Sequence, residues 1–553
     1  MSARRAVAVL LGAALLLASC SDEGATTSGE RAERASAPRS SGPETPVPST
    51  APTPSLDASG HAGAAGAGWG PTPAEMRRAE RLAHGLSLQD LAGQVIVAEY
   101  TGTRAPAPLV NGLHLGGVIV MSDNVGTTDA LRRSNQTLQA AVRKAGRDWP
   151  VFIGVDQEGG IVERVQGSAT RFPTFMSAGA ADDTDLTERA AAASGAELVD
   201  LGFTAVFAPD GDVTSGPDDP TIGSRSASSR PKVVAQQMNA AVDGYLSAGI
   251  LPVVKHFPGH GSVAADSHVE LPVQRKTLRQ LRDSDLVPFE SGVSRGVPSM
   301  MVAHLDIRAV DPRTPSSLSR PVVSGLLRRD LGFDGLVVSD AMNMGAVTDH
   351  YSSGAAAVRT LQAGVDVVLM PVDPRAARDG IVRAVRQGRL DRSRVEEAAT
   401  RMIAVLLHQR DRRPALTRRP GTSVEASYRL SAAAATSVSG PCRGRLVGKA
   451  VRATGSPEVV NRFYAAARAA GLRTGSGTSV ALIGYGGAGR SADVVVTTDT
   501  PYPLASSRAT VSKIAMYGDT PEAMRALVQV LLGKARARGH LPVPVPGVAR
   551  SGC

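Results

Sequence analysis

Over residues 73–413, short apolar runs alternate with longer amphipathic stretches, and this alternation is the main guide to architecture. Eight runs read as buried strands: 95–100, 117–121, 151–156, 205–209, 252–256, 299–304, 335–340 and 365–370. They are mostly continuous in apolar character, as strands covered on both faces are. Helical patterns lie between most of them, for example 128–145, 232–248 and 277–295. Eight strand–helix units over this length predict an α/β protein built on a closed (β/α)8 barrel of the TIM type. An open doubly wound sheet is the alternative. Polar residues at the strand ends favour closure: Asp156, Asp210 and Asp212, Lys255 and His256, His304, and Asp340. In such barrels the chemistry sits at the C-terminal ends of the strands.

A linker rich in Arg, Pro and Thr, residues 414–424, leads to a smaller region over 425–553. That region reads as a small α/β domain, with a helix over 457–470 and strands over 480–483, 494–497 and 514–517. A last helix over 522–532 takes Asp519 or Thr520 as its cap. Gly484-Tyr-Gly-Gly-Ala-Gly489 imitates a dinucleotide fingerprint, but Arg490-Ser-Ala492 runs straight into the next strand. With no helix to present its N-terminus, the segment reads as a turn.

Arg4 and Arg5, the apolar stretch 6–17 and Leu17-Ala-Ser-Cys20 have the layout of an export signal over residues 1–20. A small-residue site ending in Cys resembles a bacterial lipobox, which implies lipidation of Cys20 and anchoring to the outer face of the cell membrane. Residues 21–72, dominated by Ser, Pro, Thr, Gly and Ala, lack the apolar content to offset chain entropy and read as a disordered tether. The chain has three cysteines. An oxidising compartment would allow Cys442 and Cys553 to form a disulfide.

The net charge of +10 is spread along the chain, without a basic patch interleaved with aromatics, which argues against nucleic-acid binding. No obligate protein partner is implied. There is no G-x-S-x-G elbow, so Ser or Cys nucleophilic catalysis has no support.

The densest chemistry is Lys255-His-Phe-Pro-Gly-His-Gly261 followed by Asp266-Ser-His268, on a glycine-hinged loop after an apolar strand. Three histidines could suggest a metal, but Pro258 and the glycines forbid a helix that would align His256 with His260. No metal and no cofactor is expected. Asp266, two residues before His268, is near enough to orient its imidazole. Gly335-Leu-Val-Val-Ser-Asp340 places a carboxylate where a strand opens into a loop; as a helix cap it would be unremarked.

Together these segments resemble family 3 glycoside hydrolases, in the β-N-acetylglucosaminidase branch with its K-H-F-P-G-H-G-x4-D-S-H pattern. The S-D-x-x-x-M motif that carries this family's nucleophile reads here Ser339-Asp340-Ala-Met-Asn-Met344. The resemblance implies a retaining exo-β-N-acetylglucosaminidase, acting on N-acetylglucosamine-containing glycans or muropeptides. Asp340 would be the nucleophile and His268, oriented by Asp266, the acid/base; an imidazole titrating near ~6.5 suits both proton transfers. Asp156 and Arg164 match sugar contacts after the third strand, although Ile161 stands where the family commonly has Arg. Arg225, in Ile222-Gly-Ser-Arg-Ser226, with Lys255 and His256 would complete the sugar clamp. A β-glucosidase or phosphorylase using the same site, or a carbohydrate-binding lipoprotein without turnover, are the alternatives.

Overall fold

In the computed structural model, eight short parallel strands close into a ring. They are β1 Ile96–Ala98, β2 Gly117–Val120, β3 Phe152–Val155, β4 Ala205–Val206, β5 in two stretches (Leu251–Pro252 and Val254–Phe257), β6 Ser299–Val302, β7 Leu336–Ser339 and β8 Val368–Leu369. Neighbours in sequence pair in parallel from β1 through β7, and β8 pairs with β1. The last gap closes through a parallel bridge between Val338 and Val367, with the Ser339 amide 2.9 Å from the Val367 carbonyl oxygen. The strands are buried throughout, which is why their sequences do not alternate. The described residues are 70–412 and 417–552. The expected signal segment with Cys20, the tether up to residue 69, and Cys553 lie outside them.

Local sequence sets the helix boundaries. The Thr127 side chain caps Thr128–Lys144, Asp183 caps Thr184–Asp200, and Pro231 opens Pro231–Ser247. The helix expected over 277–295 is instead two, Leu278–Asp283 and Val287–Arg295. Pro288 has no N–H to donate and its ring crowds the carbonyl four residues back, so it starts a helix here and could not continue one.

A second sheet follows: β9 Thr436–Ser439, β10 Ala450–Thr454, β11 Arg473–Thr474, β12 Thr478–Ile483, β13 Ser491–Thr497 and β14 Arg508–Ala515. Its order is β9-β14-β13-β12-β10-β11, parallel except for β9 against β14. Helices Val424–Ala434, Pro457–Ala469 and Pro521–Leu531 cover it, the last capped by Thr520. Residues 484–489 turn directly into β13. Cys442 is disulfide-bonded, with its Sγ 3.0 Å from the Gly552 carbonyl oxygen.

The loops at the C-terminal edge of this sheet pack against barrel loops. The Thr174 amide and hydroxyl each donate to the Tyr517 carbonyl at 2.9 Å, and Arg171 lies 3.4 Å from Asp519. The Ser228 hydroxyl donates to the Pro542 carbonyl at 2.5 Å. Met176 and Ala180 of the barrel share an apolar cluster with Tyr517, Leu541 and Val543. No helix among the described residues is long and apolar enough to cross a membrane.

Candidate active site

Asp340 is the first residue past β7. Its amide donates to the Val302 carbonyl at 2.9 Å, and its Oδ1 accepts from the Ala341 amide at 2.8 Å. Burial raises the carboxyl's pKa, but the imidazoles of His256 and His304 and the Ala341 N–H outweigh it, and the net shift is downward. His304, fully buried after β6, makes two contacts: Nε2 lies 3.0 Å from the Ala341 carbonyl and Nδ1 2.6 Å from the Ser317 hydroxyl. The carbonyl can only accept, so Nε2 carries the proton and Nδ1 accepts from the hydroxyl. Burial lowers the pKa of this imidazole. His304 thereby fixes the backbone immediately after the nucleophile candidate.

Beside Asp340 lies a buried polar clamp whose centre is Glu158. Arg225 donates to it twice, at 2.8 and 2.9 Å, and Lys255 Nζ lies 2.6 Å away. Burial raises the Glu158 pKa, but the charges of Arg225 and Lys255 more than reverse this and hold it well below the carboxylate range. Lys255 also donates to Asp156 at 2.8 Å, and Arg164 stands 3.8 Å from Asp156. His256 Nδ1 is 2.7 Å from Asp212, and its Nε2 is 3.3 Å from Arg225. A guanidinium can only donate, so Nε2 accepts and Nδ1 carries the proton. Burial depresses the pKa of His256 far below the usual value. Ile161 is 43% exposed, so the departure from the family pattern does not enter the packing of this clamp.

Asp210 and Asp212, side by side after β4, are both raised by burial, and Asp210 further by Asp212. Together with His256 they bring one ligand-type atom each within 4.8 Å of one another. The Arg225 guanidinium, 3.3 Å from His256 and 3.9 Å from Asp210, already brings positive charge to this corner.

The Asp266–His268 pair forms as the sequence suggests: His268 Nδ1 is 2.7 Å from Asp266 Oδ1, leaving Nε2 for other work. Among the described residues the pair makes no hydrogen bond to the clamp. The His268 side chain is 64% exposed, and among the described residues neither member hydrogen-bonds to Asp340. The loop is pinned elsewhere. The Gly345 amide donates to the His268 carbonyl at 3.1 Å, and His260 Nε2 lies 2.9 Å from the Ser267 hydroxyl. A Cβ on Gly345 would sit 2.6 Å from the Val269 carbonyl oxygen, so only glycine permits this approach.

The sequence gives no role to five residues that the fold places here: Glu158, Asp210, Asp212, His260 and His304. Three of them, Asp210, Asp212 and His304, show as polar strand ends. Glu158 is two residues from Asp156, a spacing that places both on one side of an extended segment.

Residues 87–405 match the model of the glycosyl hydrolase family 3 N-terminal domain, more than half of the chain. The chain belongs to glycosyl hydrolase family 3. Among its relatives, β-hexosaminidase LpqI of Mycobacterium tuberculosis is 32% identical over 414 residues, 73% of this chain and 98% of that protein. β-Hexosaminidase A of Pseudoalteromonas piscicida is 36% identical over 287 residues, 49% of this chain, and the match spans only 48% of that protein's length. The solved glycoside hydrolase family 3 β-N-acetylglucosaminidase of Paenibacillus sp. str. FPU-7 superposes with a TM-score of 0.75 at 28% identity, over 83% of this chain and 99% of its own. This family 3 member is therefore a glycosidase with a barrel and a second α/β sheet.

Proposed function

We propose that this enzyme is a retaining exo-β-N-acetylglucosaminidase in which Asp340 is the nucleophile and His268 the acid/base. The observation that carries the reading is the pairing of a carboxylate with lowered pKa at the end of β7 with an imidazole–carboxylate dyad on a loop pinned to Gly345. With Oδ1 engaged by the Ala341 amide, Oδ2 is the oxygen that attacks the anomeric carbon. As the C1–Oδ2 bond forms, the glycosidic C–O bond breaks and the imidazolium of His268 gives its proton to the leaving oxygen. In the second half, neutral His268 takes a proton from water, the water oxygen bonds to C1, and the Asp340 carboxylate departs. Asp266, on the opposite ring nitrogen, holds the tautomer that leaves Nε2 free for both transfers.

The sugar hydroxyls fall to Asp156, Arg164, Arg225, Lys255 and His256, supported by the interlocked clamp they form around Glu158. The names of the relatives support N-acetylglucosamine as the terminal sugar. The lipobox-like N-terminus supports an exported, membrane-anchored enzyme that acts on cell-wall or muropeptide glycans. The test is nitrophenol release from nitrophenyl β-N-acetylglucosaminide, with the β-glucoside alongside and phosphate varied. Phosphate-independent release from the acetamido sugar, its loss in Asp340→Asn, and formation of the α-glycosyl azide when azide is added to that variant are expected. Release from the glucoside alone, a requirement for phosphate, or an unimpaired Asp340→Asn variant would overturn the reading.

A further inference from the structure

One buried hydrogen bond from the second sheet reaches the residue next to a clamp member. Arg225 sits in the turn Gly223–Arg225, and that turn has little regular structure to hold it. On the barrel side, Asp219 accepts from the amides of Thr221, Ile222 and Gly223 at 3.3, 2.9 and 3.1 Å, and the Ser226 hydroxyl donates to the Asp212 carbonyl at 2.6 Å. Ser224, directly before Arg225, turns the other way. Its hydroxyl donates at 2.5 Å to Oδ1 of Asp499, just beyond β13 in the second sheet. Ser224 and Asp499 are 2% and 6% exposed, so water cannot replace this bond cheaply. Thr500 extends the contact, with its Cγ2 within 3.8 Å of where a Gly223 side chain would begin.

We infer that Asp499 is a positioning residue for sugar recognition: through Ser224 it sets the place of Arg225, and so couples the second sheet to the substrate clamp. This rests on the proposed role of Arg225 as a sugar contact. Arg225 is the shared member of the clamp, donating to Glu158 twice and meeting His256 Nε2 at 3.3 Å. A shift of its backbone therefore moves several groups that face the sugar. Other bonds between the two parts of the molecule, such as Arg171 to Asp519, meet barrel residues that are not in the clamp. The Arg171–Asp519 pair holds the two parts together without a bond to the Arg225 turn.

The consequence is a loss of binding rather than of chemistry. Among the described residues, Asp340, His304 and the Asp266–His268 loop make no hydrogen bond to Asp499 or Ser224. A group that binds ground state and transition state alike shows itself in KM when lost, with kcat preserved.

The experiment measures kcat and KM on nitrophenyl β-N-acetylglucosaminide for the full protein and four variants. Asp499→Ala should raise KM about 10-fold, with kcat within about 2-fold. Asp499→Asn keeps an oxygen acceptor for the Ser224 hydroxyl and should restore KM to within about 2-fold of the unaltered enzyme. Ser224→Ala removes the same bond from the barrel side and should reproduce the rise in KM, even if Asp499→Ala does not fold. Asp519→Asn weakens a neighbouring contact and should lower thermal stability while KM stays put. An unchanged KM in Ser224→Ala, or equal rises in Asp499→Ala and Asp519→Asn, would overturn the inference. Absence of turnover in the unaltered protein would instead refute the proposed function, so the two failures are distinguishable.

Discussion

Replacing Glu158 by Gln tests the clamp where its electrostatics are most concentrated. The side chain is nearly isosteric, so the change removes a charge and little volume. Three charge-assisted contacts converge on this carboxylate: Lys255 Nζ at 2.6 Å and two Arg225 nitrogens at 2.8 and 2.9 Å. In the variant the amide nitrogen faces a donor, and two buried cations lose their common anion. Removing one member of a buried ion pair costs about 3–5 kcal/mol. Lys255 keeps Asp156 at 2.8 Å, while Arg225 keeps the neutral acceptors His256 Nε2 at 3.3 Å and the Thr221 carbonyl at 3.4 Å, with the Asp210 carboxylate at 3.9 Å, so a loss near ~3 kcal/mol is expected. Urea unfolding followed by circular dichroism should show the lower midpoint, with an unchanged slope.

The pH dependence follows from the direction of the shift. Glu158 is depressed in the folded protein, so its contribution is complete above the unfolded-state value of ~4.3 and is lost only as pH falls through the folded one. The gap between wild type and variant should thus stay constant between about pH 7 and pH 5. With Arg225 and Lys255 both released from their anchor, kcat/KM should fall about 100-fold. A variant within ~0.5 kcal/mol of wild type and with unaltered kinetics would refute the account of the clamp.

His268→Ala should lose about 100- to 10,000-fold in kcat/KM on glycosides with poor leaving groups and far less on nitrophenyl substrates, which need little protonation; equal losses on both would argue against His268 as the acid. Because the Asp340 carboxyl is held below its ordinary range, the acid side of the kcat/KM profile should show no inflection from this group at the usual carboxylate value of ~3.9, but only below it, and a stopped pH series on the wild type checks this. Cys442→Ser should destabilise the protein by about 2–4 kcal/mol without altering KM, and alkylation of the native protein before reduction should leave Cys442 unlabelled.

The barrel was legible because burial on both faces writes itself as unbroken apolar runs, and each of its eight strands overlaps such a run. The edges of the second sheet carry no such mark. β9 Thr436–Ser439 and β11 Arg473–Thr474 are short and rich in Ser, Thr and Arg, so nothing in their composition separates them from loops. The split at Pro288 was readable in principle, since proline within a helical pattern ends or restarts it. At the site, Asp340, Lys255, His256 and the Asp266–His268 pair stand within dense local motifs. Glu158 needs Arg225 and Lys255 to give it meaning, and these are brought to it by different strands. Asp499 is more than two hundred residues from Ser224 in sequence, and only the docking of the second sheet on the barrel joins them.

Gly345 bears on how this enzyme could be rebuilt. The backbone of the loop that carries His268 leans on a residue five positions beyond Asp340, through the amide–carbonyl bond and the space a side chain would fill. The segments that carry His268 and Asp340 are thus not interchangeable modules. A loop of new length or specificity, grafted between β5 and β6, would have to arrive together with its matching segment after β7, and a design that swaps one alone inherits a backbone collision before any chemistry begins.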